Sequence, residues 1–187
     1  MTEPKPALPV RLRDGQVSDL PFIFNSWLKS SRENCPDLRR IPESVFWRYQ
    51  HQQLHSLLQR CQVTVACDVT DEDHVLGYIV SEQGFAINAR DAPHAVARVH
   101  WVFVKKTFRR FGLGKMLLEN VAVPDTSVEH TFTTEFGQLF LARMAENMRL
   151  KFVFNPYART DTYNENQKRF VLPNRRDRAP VHSERKP

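Results

Sequence analysis

The segment that most constrains the fold is residues 99–118. It begins with six residues rich in β-branched and aromatic types, Val99–Val104, and then passes through a basic turn into the glycine-rich loop Arg109–Gly114. An apolar helical stripe follows at once. Because this pattern changes from strand-like to helical across a loop of a few residues, it predicts a strand, a tight turn and a helix. The chain is therefore expected to have mixed α/β structure.

The loop Arg109–Gly114 has the composition of a phosphate-binding turn. Gly112 and Gly114 lack side chains that would keep phosphate oxygens away from backbone N–H groups, and the next helix directs its positive dipole end to the same point. Arg109 and Arg110 add charge that a diphosphate can use. An ordinary turn is the alternative interpretation of so short a motif. The loop satisfies neither GxxxxGK[ST] nor GxGxxG, which disfavours ATP and NAD.

The rest of the sequence predicts a series of short strands and amphipathic helices. Strands are expected near residues 9–13, 61–69, 75–80, 95–104, 128–134 and 152–154. Helices are expected near 20–31, 42–58, 113–122 and 136–148. The charged turn 70–73 makes a hairpin of the second and third strands. No internal repeat is visible.

This order of elements, together with the loop, resembles the GNAT N-acetyltransferases. Their signature Q/R-x-x-G-x-G/A is satisfied by Arg109, Gly112 and Gly114. The resemblance covers roughly residues 10–155, although only 99–118 is specific at the level of the motif. It implies an α/β (α+β) domain at residues 1–158, in which a mixed, mostly antiparallel sheet is flanked by helices and splayed at the fourth strand.

The resemblance also implies that acetyl-CoA is the acyl donor and a primary amine the acceptor. The pantetheine arm would pair with the backbone of the fourth strand, and the diphosphate would bind the turn. The residues expected to contact acetyl-CoA are Val102, Phe103, Val104, Arg109, Arg110, Phe111, Gly112, Leu113, Gly114 and Lys115. The amine, from a small molecule or a protein, would attack the thioester directly while a general base takes its proton.

Three residues are candidates for catalysis. His100 occupies a position similar to that of a strand histidine credited as a base in arylalkylamine N-acetyltransferases, and imidazole titrates near neutral pH. A histidine that only satisfies a hydrogen bond is the alternative. Glu82 is a second candidate base, with a solvated strand end as its alternative, whereas Arg98 stands where many members carry glutamate. Tyr157 is the candidate acid, or a packing residue, because the usual tyrosine is missing.

Aromatic residues of the first two helices are candidates for an acceptor pocket, although core packing is expected for most of them. One or two of the six should touch the substrate. They are Phe22, Phe24, Trp27, Phe46, Trp47 and Tyr49.

Charge and composition limit the partners and the location. The net charge is +6, and residues 159–187 carry eight basic and four acidic residues, which leaves +2 for the body. This basic arm is expected to be extended or disordered. The modest charge of the body disfavours nucleic acid. A homodimer is considered, because similar folds commonly dimerise.

Further features favour a cytoplasmic protein without a metal. No apolar run approaches the roughly 20 residues that cross a bilayer. The three cysteines suggest reduced thiols, and no CxxC or HxxxH spacing indicates a metal site. We therefore expect an acetyl-CoA-dependent N-acetyltransferase. The alternative is a non-catalytic GNAT-like module with a structural or interaction role.

Overall fold

The predicted strands form one six-stranded sheet in the computed structural model, which describes residues 9–86, 94–132 and 134–156. The strands lie side by side in chain order. They are β1 (Val10–Asp14), β2 (Gln62–Asp68), β3 (Val75–Ala86), β4 (His94–Val104), β5 (Ser127–His130) and β6 (Lys151–Phe154). Strands β1 to β4 pair antiparallel, whereas β5 pairs parallel with β4 and β6 parallel with β5. The predicted mixed, mostly antiparallel sheet is confirmed.

Within the described residues, five α-helices flank this sheet. They are α1 (Leu20–Glu33), α2 (Pro36–Arg39), α3 (Glu43–Leu58), α4 (Leu113–Glu119) and α5 (Glu135–Met148). The sequence did not predict α2, a single turn with no buried residue and therefore no apolar stripe to detect. Among the described residues, no helix has the length and apolarity needed to cross a membrane. The basic arm 159–187 lies outside the described residues.

Helices cover both faces of the sheet. The Tyr78 hydroxyl of β3 lies 3.0 Å from the Ser26 hydroxyl, which places α1 on the face that carries Tyr78. On the other face, Asn120 at the end of α4 donates to the Thr64 hydroxyl of β2 at 3.2 Å. Thr64 is paired with Ile79, the neighbour of Tyr78, so alternation along the strands puts these helices on opposite sides. The core therefore has two layers.

A buried ion pair fixes the start of α1 to β1. The Arg13 guanidinium donates two hydrogen bonds to the Asp19 carboxylate, at 2.7 and 2.8 Å, and both side chains are buried. Asp19 also accepts from the backbone N–H of Gln16. Two parallel bonds to one carboxylate restrict both position and angle. The pair therefore sets how the helical layer meets the edge of the sheet.

A β-bulge in β4 decides how the centre of the sheet is arranged. Val80 pairs with Trp101 and the next residue, Ser81, pairs with Val99, so His100 is an extra residue in β4. The pairing of β4 with β5 ends at Val99 and His130, whereas β4 continues to Val104. The two strands thus part just after the bulge, in agreement with the predicted splay.

Candidate active site

The glycine-rich turn connects the end of β4 to α4. Arg110 and Gly112 have positive φ angles of 69° and 84°, and α4 begins at Leu113. A Cβ atom built on Gly112 would meet no atom within 4 Å, so the glycine is required by the backbone and not by crowding. The space in front of Gly112 is open. The binding of a diphosphate at this turn stays a prediction.

The second glycine of the motif has another function in the fold. A Cβ atom on Gly114 would lie 2.9 Å from the Phe140 ring, so this glycine lets α4 approach α5 closely. Leu113 is buried, and only its backbone can face the turn. Arg110 and Lys115 are exposed. The turn therefore offers backbone groups and two exposed cations, while its apolar side chain anchors the helix.

The second half of β4 has one edge that β5 does not cover. Its other edge is held by β3, because Phe103 pairs with Tyr78 and Val104 with Gly77. The approach there is close: a Cβ atom on Gly77 would lie 2.6 Å from the Phe103 carbonyl oxygen. Beyond Val99, β4 has no further register partner on β5. The structure thus brings together the predicted contacts Val102–Val104 and the turn along one continuous path.

A cluster of buried charges lies on the α1 face at the first half of β4. Arg98 bridges two carboxylates: its Nε donates to Glu129 Oε2 at 2.7 Å, and its Nη1 donates to Glu82 Oε1 at 3.0 Å. Arg60 Nε lies 3.5 Å from Glu82 Oε2. The four side chains are between 8% and 13% exposed. Two arginines therefore balance two carboxylates, as buried charges require.

His100 joins this charge cluster to β5. Its Nε2 lies 3.2 Å from Glu82 Oε1 and its Nδ1 lies 3.2 Å from the Thr131 hydroxyl. Because a carboxylate can only accept, the tautomer that suits both contacts carries its proton on Nε2 and accepts from Thr131 at Nδ1. The His100 side chain is fully buried. The structure thus brings the two predicted bases together and seals one of them from direct contact with solvent.

The environment of Glu82 differs from the sequence-based interpretation. Burial acts to raise its pKa, but the hydrogen bonds from His100 and Arg98 and the charge of Arg60 outweigh burial and leave the pKa lowered. The carboxylate therefore stays ionised. The interpretation of Glu82 as a solvated strand end was wrong, because the end of α3 covers a strand position that looks terminal in the sequence.

A buried cysteine adjoins the same carboxylate. Cys61 Sγ lies 3.9 Å from Glu82 Oε2, and potential ligand atoms of Cys61, Glu82 and His100 lie within 4.8 Å of one another. Burial, followed by the charge of Glu82, raises the pKa of the Cys61 thiol. Metals bind the thiolate, and Arg60 and Arg98 already neutralise the carboxylate. The chemistry of this donor set fits a metal ion poorly. The predicted acid, Tyr157, lies outside the described residues.

A cavity of about 540 Å³ opens between α1, α3 and the end of β6. It is lined by Trp27, Leu28, Tyr49, Gln50, Gln52, Gln53, Leu54, Ser56, Leu57 and Pro156. Two of the six aromatic candidates, Trp27 and Tyr49, are in this lining. Trp27 stacks on Trp101 of β4, with ring centroids 5.0 Å apart and planes at 10°. The cavity wall therefore reaches the strand that carries His100.

Three residues at this site were assigned no role there from the sequence. Arg98 was noted only as standing where many family members carry glutamate, and Glu129 and Trp101 were unremarked members of two predicted strands. Trp101 is 5% exposed, and its Nε1 has no acceptor within the part of the chain that the structure describes. A strand position followed by an unexpected bulge could not be assigned a face from alternation alone. Their contacts depend on how β3, β4 and β5 are paired.

With this geometry established, comparison with known proteins identifies the family. Residues 24–150 match the acetyltransferase (GNAT) family. The chain belongs to this family. Acyl transfer is thus its general class of reaction, and the predicted resemblance is confirmed. No curated protein matches the sequence.

Several solved structures are similar to this chain at low sequence identity. A protein from Bacillus halodurans is 16% identical with a TM-score of 0.50, and the match covers 87% of this chain and 98% of that one. An acetyltransferase from Vibrio fischeri is 17% identical with a TM-score of 0.41, covering 77% and 93%. An acetyltransferase from Trypanosoma brucei is 16% identical with a TM-score of 0.37, covering 87% and 99%.

Proposed function

We propose that this GNAT protein is an N-acetyltransferase that uses acetyl-CoA to acetylate a primary amine. The observation that carries the proposal is the uncovered edge of β4 leading to the open turn at Gly112. Backbone groups of Val102–Val104 would hold the pantetheine arm, and the N–H groups of the turn, with Arg109 and Arg110, would hold the diphosphate. Bound acetyl-CoA supplies the activated acetyl thioester.

The turn is prepared for this function before any ligand arrives. Arg109 Nε donates to the Val104 carbonyl oxygen at 3.2 Å, which ties the turn back to the strand. Gly112 keeps its positive φ without a side chain in the open space. Because both features are set by the fold, little backbone ordering is left to oppose binding.

The charge cluster suggests how the amine loses its proton. Nδ1 of His100 would accept the proton of the amine. The Thr131 hydroxyl, just beyond the last residue pair of β4 and β5, connects Nδ1 to the gap where the two strands part. Glu82, ionised beside Nε2, would stabilise the imidazolium that forms. The amine nitrogen forms a bond to the acetyl carbon, and the carbon–sulfur bond breaks. The amine loses one proton to the base, and the departing thiolate takes up one proton.

The acid that protonates the thiolate is a separate proposal. Tyr157 remains the candidate from the sequence. Solvent is the alternative, because the thiol of coenzyme A is an acceptable leaving group without a strong acid. We also propose that the protein acts in the cytoplasm, which is supported by the free thiols of Cys35, Cys61 and Cys67.

Isothermal titration with acetyl-CoA and with coenzyme A tests the cofactor without knowledge of the acceptor. Saturable binding at micromolar concentration, lost in Gly112→Asp, is the expected result. Absence of binding by folded protein would overturn the proposal. Asn120→Asp, at the far end of α4, is the control, because it adds the same charge without touching the turn. Gly15→Asp is a second control if it folds, since Val63 crowds Gly15.

One observation favours a second candidate, a non-catalytic GNAT module. His100 is fully buried with neighbours at both nitrogens, and two arginines hold Glu82. In this second candidate, the cluster stabilises the fold and takes no part in catalysis. Mixing the protein with radiolabelled acetyl-CoA and a broad set of amines separates the two functions, because the module would bind the thioester without transferring its acetyl group.

A further inference from the structure

The cavity between α1 and α3 has an uncharged lining. Among its ten lining residues none is acidic or basic, and two successive turns of α3 contribute polar but neutral groups. These are the primary amides of Gln50, Gln52 and Gln53 and the hydroxyls of Tyr49 and Ser56. A pocket for a polyamine would need carboxylates, and a pocket for an acidic acceptor would need cations. Neither is present in the described lining.

We infer that this cavity binds the main chain of a peptide whose amino group is acetylated, an inference that rests on the proposed function. A glutamine amide offers a donor and an acceptor side by side, which matches the C=O and N–H of a peptide unit. Apolar walls from Leu28, Leu54 and Leu57 can take a peptide side chain. Amides for the main chain and apolar walls for side chains together fit a peptide.

The aromatic groups of the cavity favour a peptide over an amino sugar. Sugar rings bind on open aromatic faces, but Trp27 is 4% exposed and one of its faces is stacked on Trp101. Trp27 therefore forms part of the cavity wall and exposes little of its ring surface to a ligand. Tyr49 is 61% exposed and lies at the outer side of the cavity. The deep part of the site therefore has no platform for a sugar.

Two connections link the cavity to the reacting groups. Trp27 contacts Trp101, which directly follows His100, and the buried Trp101 Nε1 has no acceptor among the described residues. At the other end, the carbonyl oxygen of Leu57 accepts from the backbone N–H of Cys61, whose side chain contacts Glu82. An acceptor held in this cavity would thus extend toward the charge cluster.

The test uses two acceptors with the same α-amino group. Trialaninamide and alaninamide are titrated separately into the full chain saturated with coenzyme A. Binding is followed by tryptophan fluorescence, to which Trp27 contributes. Two additional peptide units should make trialaninamide bind about tenfold more tightly. Spermidine and glucosamine are titrated in parallel, and both should bind more weakly than trialaninamide.

Variants locate the effect in the cavity. The double variant Gln50→Met, Gln53→Met keeps side-chain length but removes both amides, and it should reduce the tenfold preference to about one. Gln59→Met is the matched control, since Gln59 lies at the end of α3 outside the lining, and it should keep the preference. Circular dichroism checks that each variant is folded.

The outcomes separate this inference from the proposed function. Equal binding of the two alanine acceptors, tighter binding of spermidine or glucosamine, or a preference that survives the double variant would each overturn the peptide site. Acetyl-CoA binding is measured on the same samples. If acetyl-CoA binds and the peptide preference is absent, only this inference fails; if acetyl-CoA does not bind, the proposed function fails and this inference fails with it.

Discussion

The open turn at Gly112 and the closed charge cluster around Glu82 lie on the same strand, β4, and are built in opposite ways. The turn offers unoccupied space and exposed cations, and a Cβ atom would meet nothing there. The cluster is closed: Arg98 and His100 both contact Glu82 in the interior. The turn is prepared for a ligand, whereas the cluster is already complete. Substitutions in the turn should therefore reduce ligand binding, and substitutions in the cluster should reduce the stability of the fold.

The largest effect is expected from breaking the cluster. Arg98→Met leaves two buried carboxylates without their shared partner and should lower the free energy of unfolding by about 3–5 kcal/mol. Arg11→Met removes the exposed partner of Glu72 and should cost about 0–1 kcal/mol. Urea denaturation measures both. Similar losses in the two variants would show that the cluster does not behave as a buried network.

Next in size is the effect of the turn on binding. Gly112→Asp should weaken acetyl-CoA binding by at least about 100-fold, or about 2.7 kcal/mol, because it adds bulk and negative charge where a diphosphate would bind. Gly112→Asn adds similar bulk, tolerates a positive φ and carries no charge, so its loss should be smaller. Calorimetry measures both. Equal losses would assign the effect to bulk alone, and no loss would remove the turn from the site.

A third experiment tests whether the cluster is more than structural. His100→Gln should lower kcat by about 100-fold and remove the acidic limb of its pH profile, while acetyl-CoA affinity stays within about twofold. Thr131→Val, which interrupts the contact with Nδ1, should reproduce the fall in kcat. An unchanged pH profile in both variants would restrict the cluster to holding the sheet together.

The smallest effect is the pH dependence of stability from Glu82. Its pKa is lowered in the folded protein, so its contribution is complete above the ordinary glutamate value of about 4.3 and is lost as pH falls through the lowered value. Glu82→Gln should therefore show a shallower fall of Tm in that acidic range. Glu72→Gln, at an exposed carboxylate, is the control and should follow the native profile.

The two regions also differ in how much the sequence could predict. The turn depends on local chemistry, because glycines, arginines and a helix start within six residues identify it. The cluster depends on contacts between residues far apart: Arg98 meets Glu129, and Glu82 meets Arg60 only after the sheet and α3 assemble. Glu82 looked like a solvated strand end for this reason. The strands and longer helices followed from periodicity, whereas the one-turn helix α2 carried none.

The bulge at His100 lets two side chains that lie three residues apart in β4 face the same helical layer. Arg98 and Trp101 are three residues apart, so in a regular strand they would face opposite sides of the sheet, yet they pair with Glu82 and Val80, which share a face. The extra residue permits this. Straightening β4 without removing a residue would leave either the charge cluster or the Trp101–Trp27 stack on the α1 face, but not both, whereas deleting His100 would keep both on that face and remove the histidine itself.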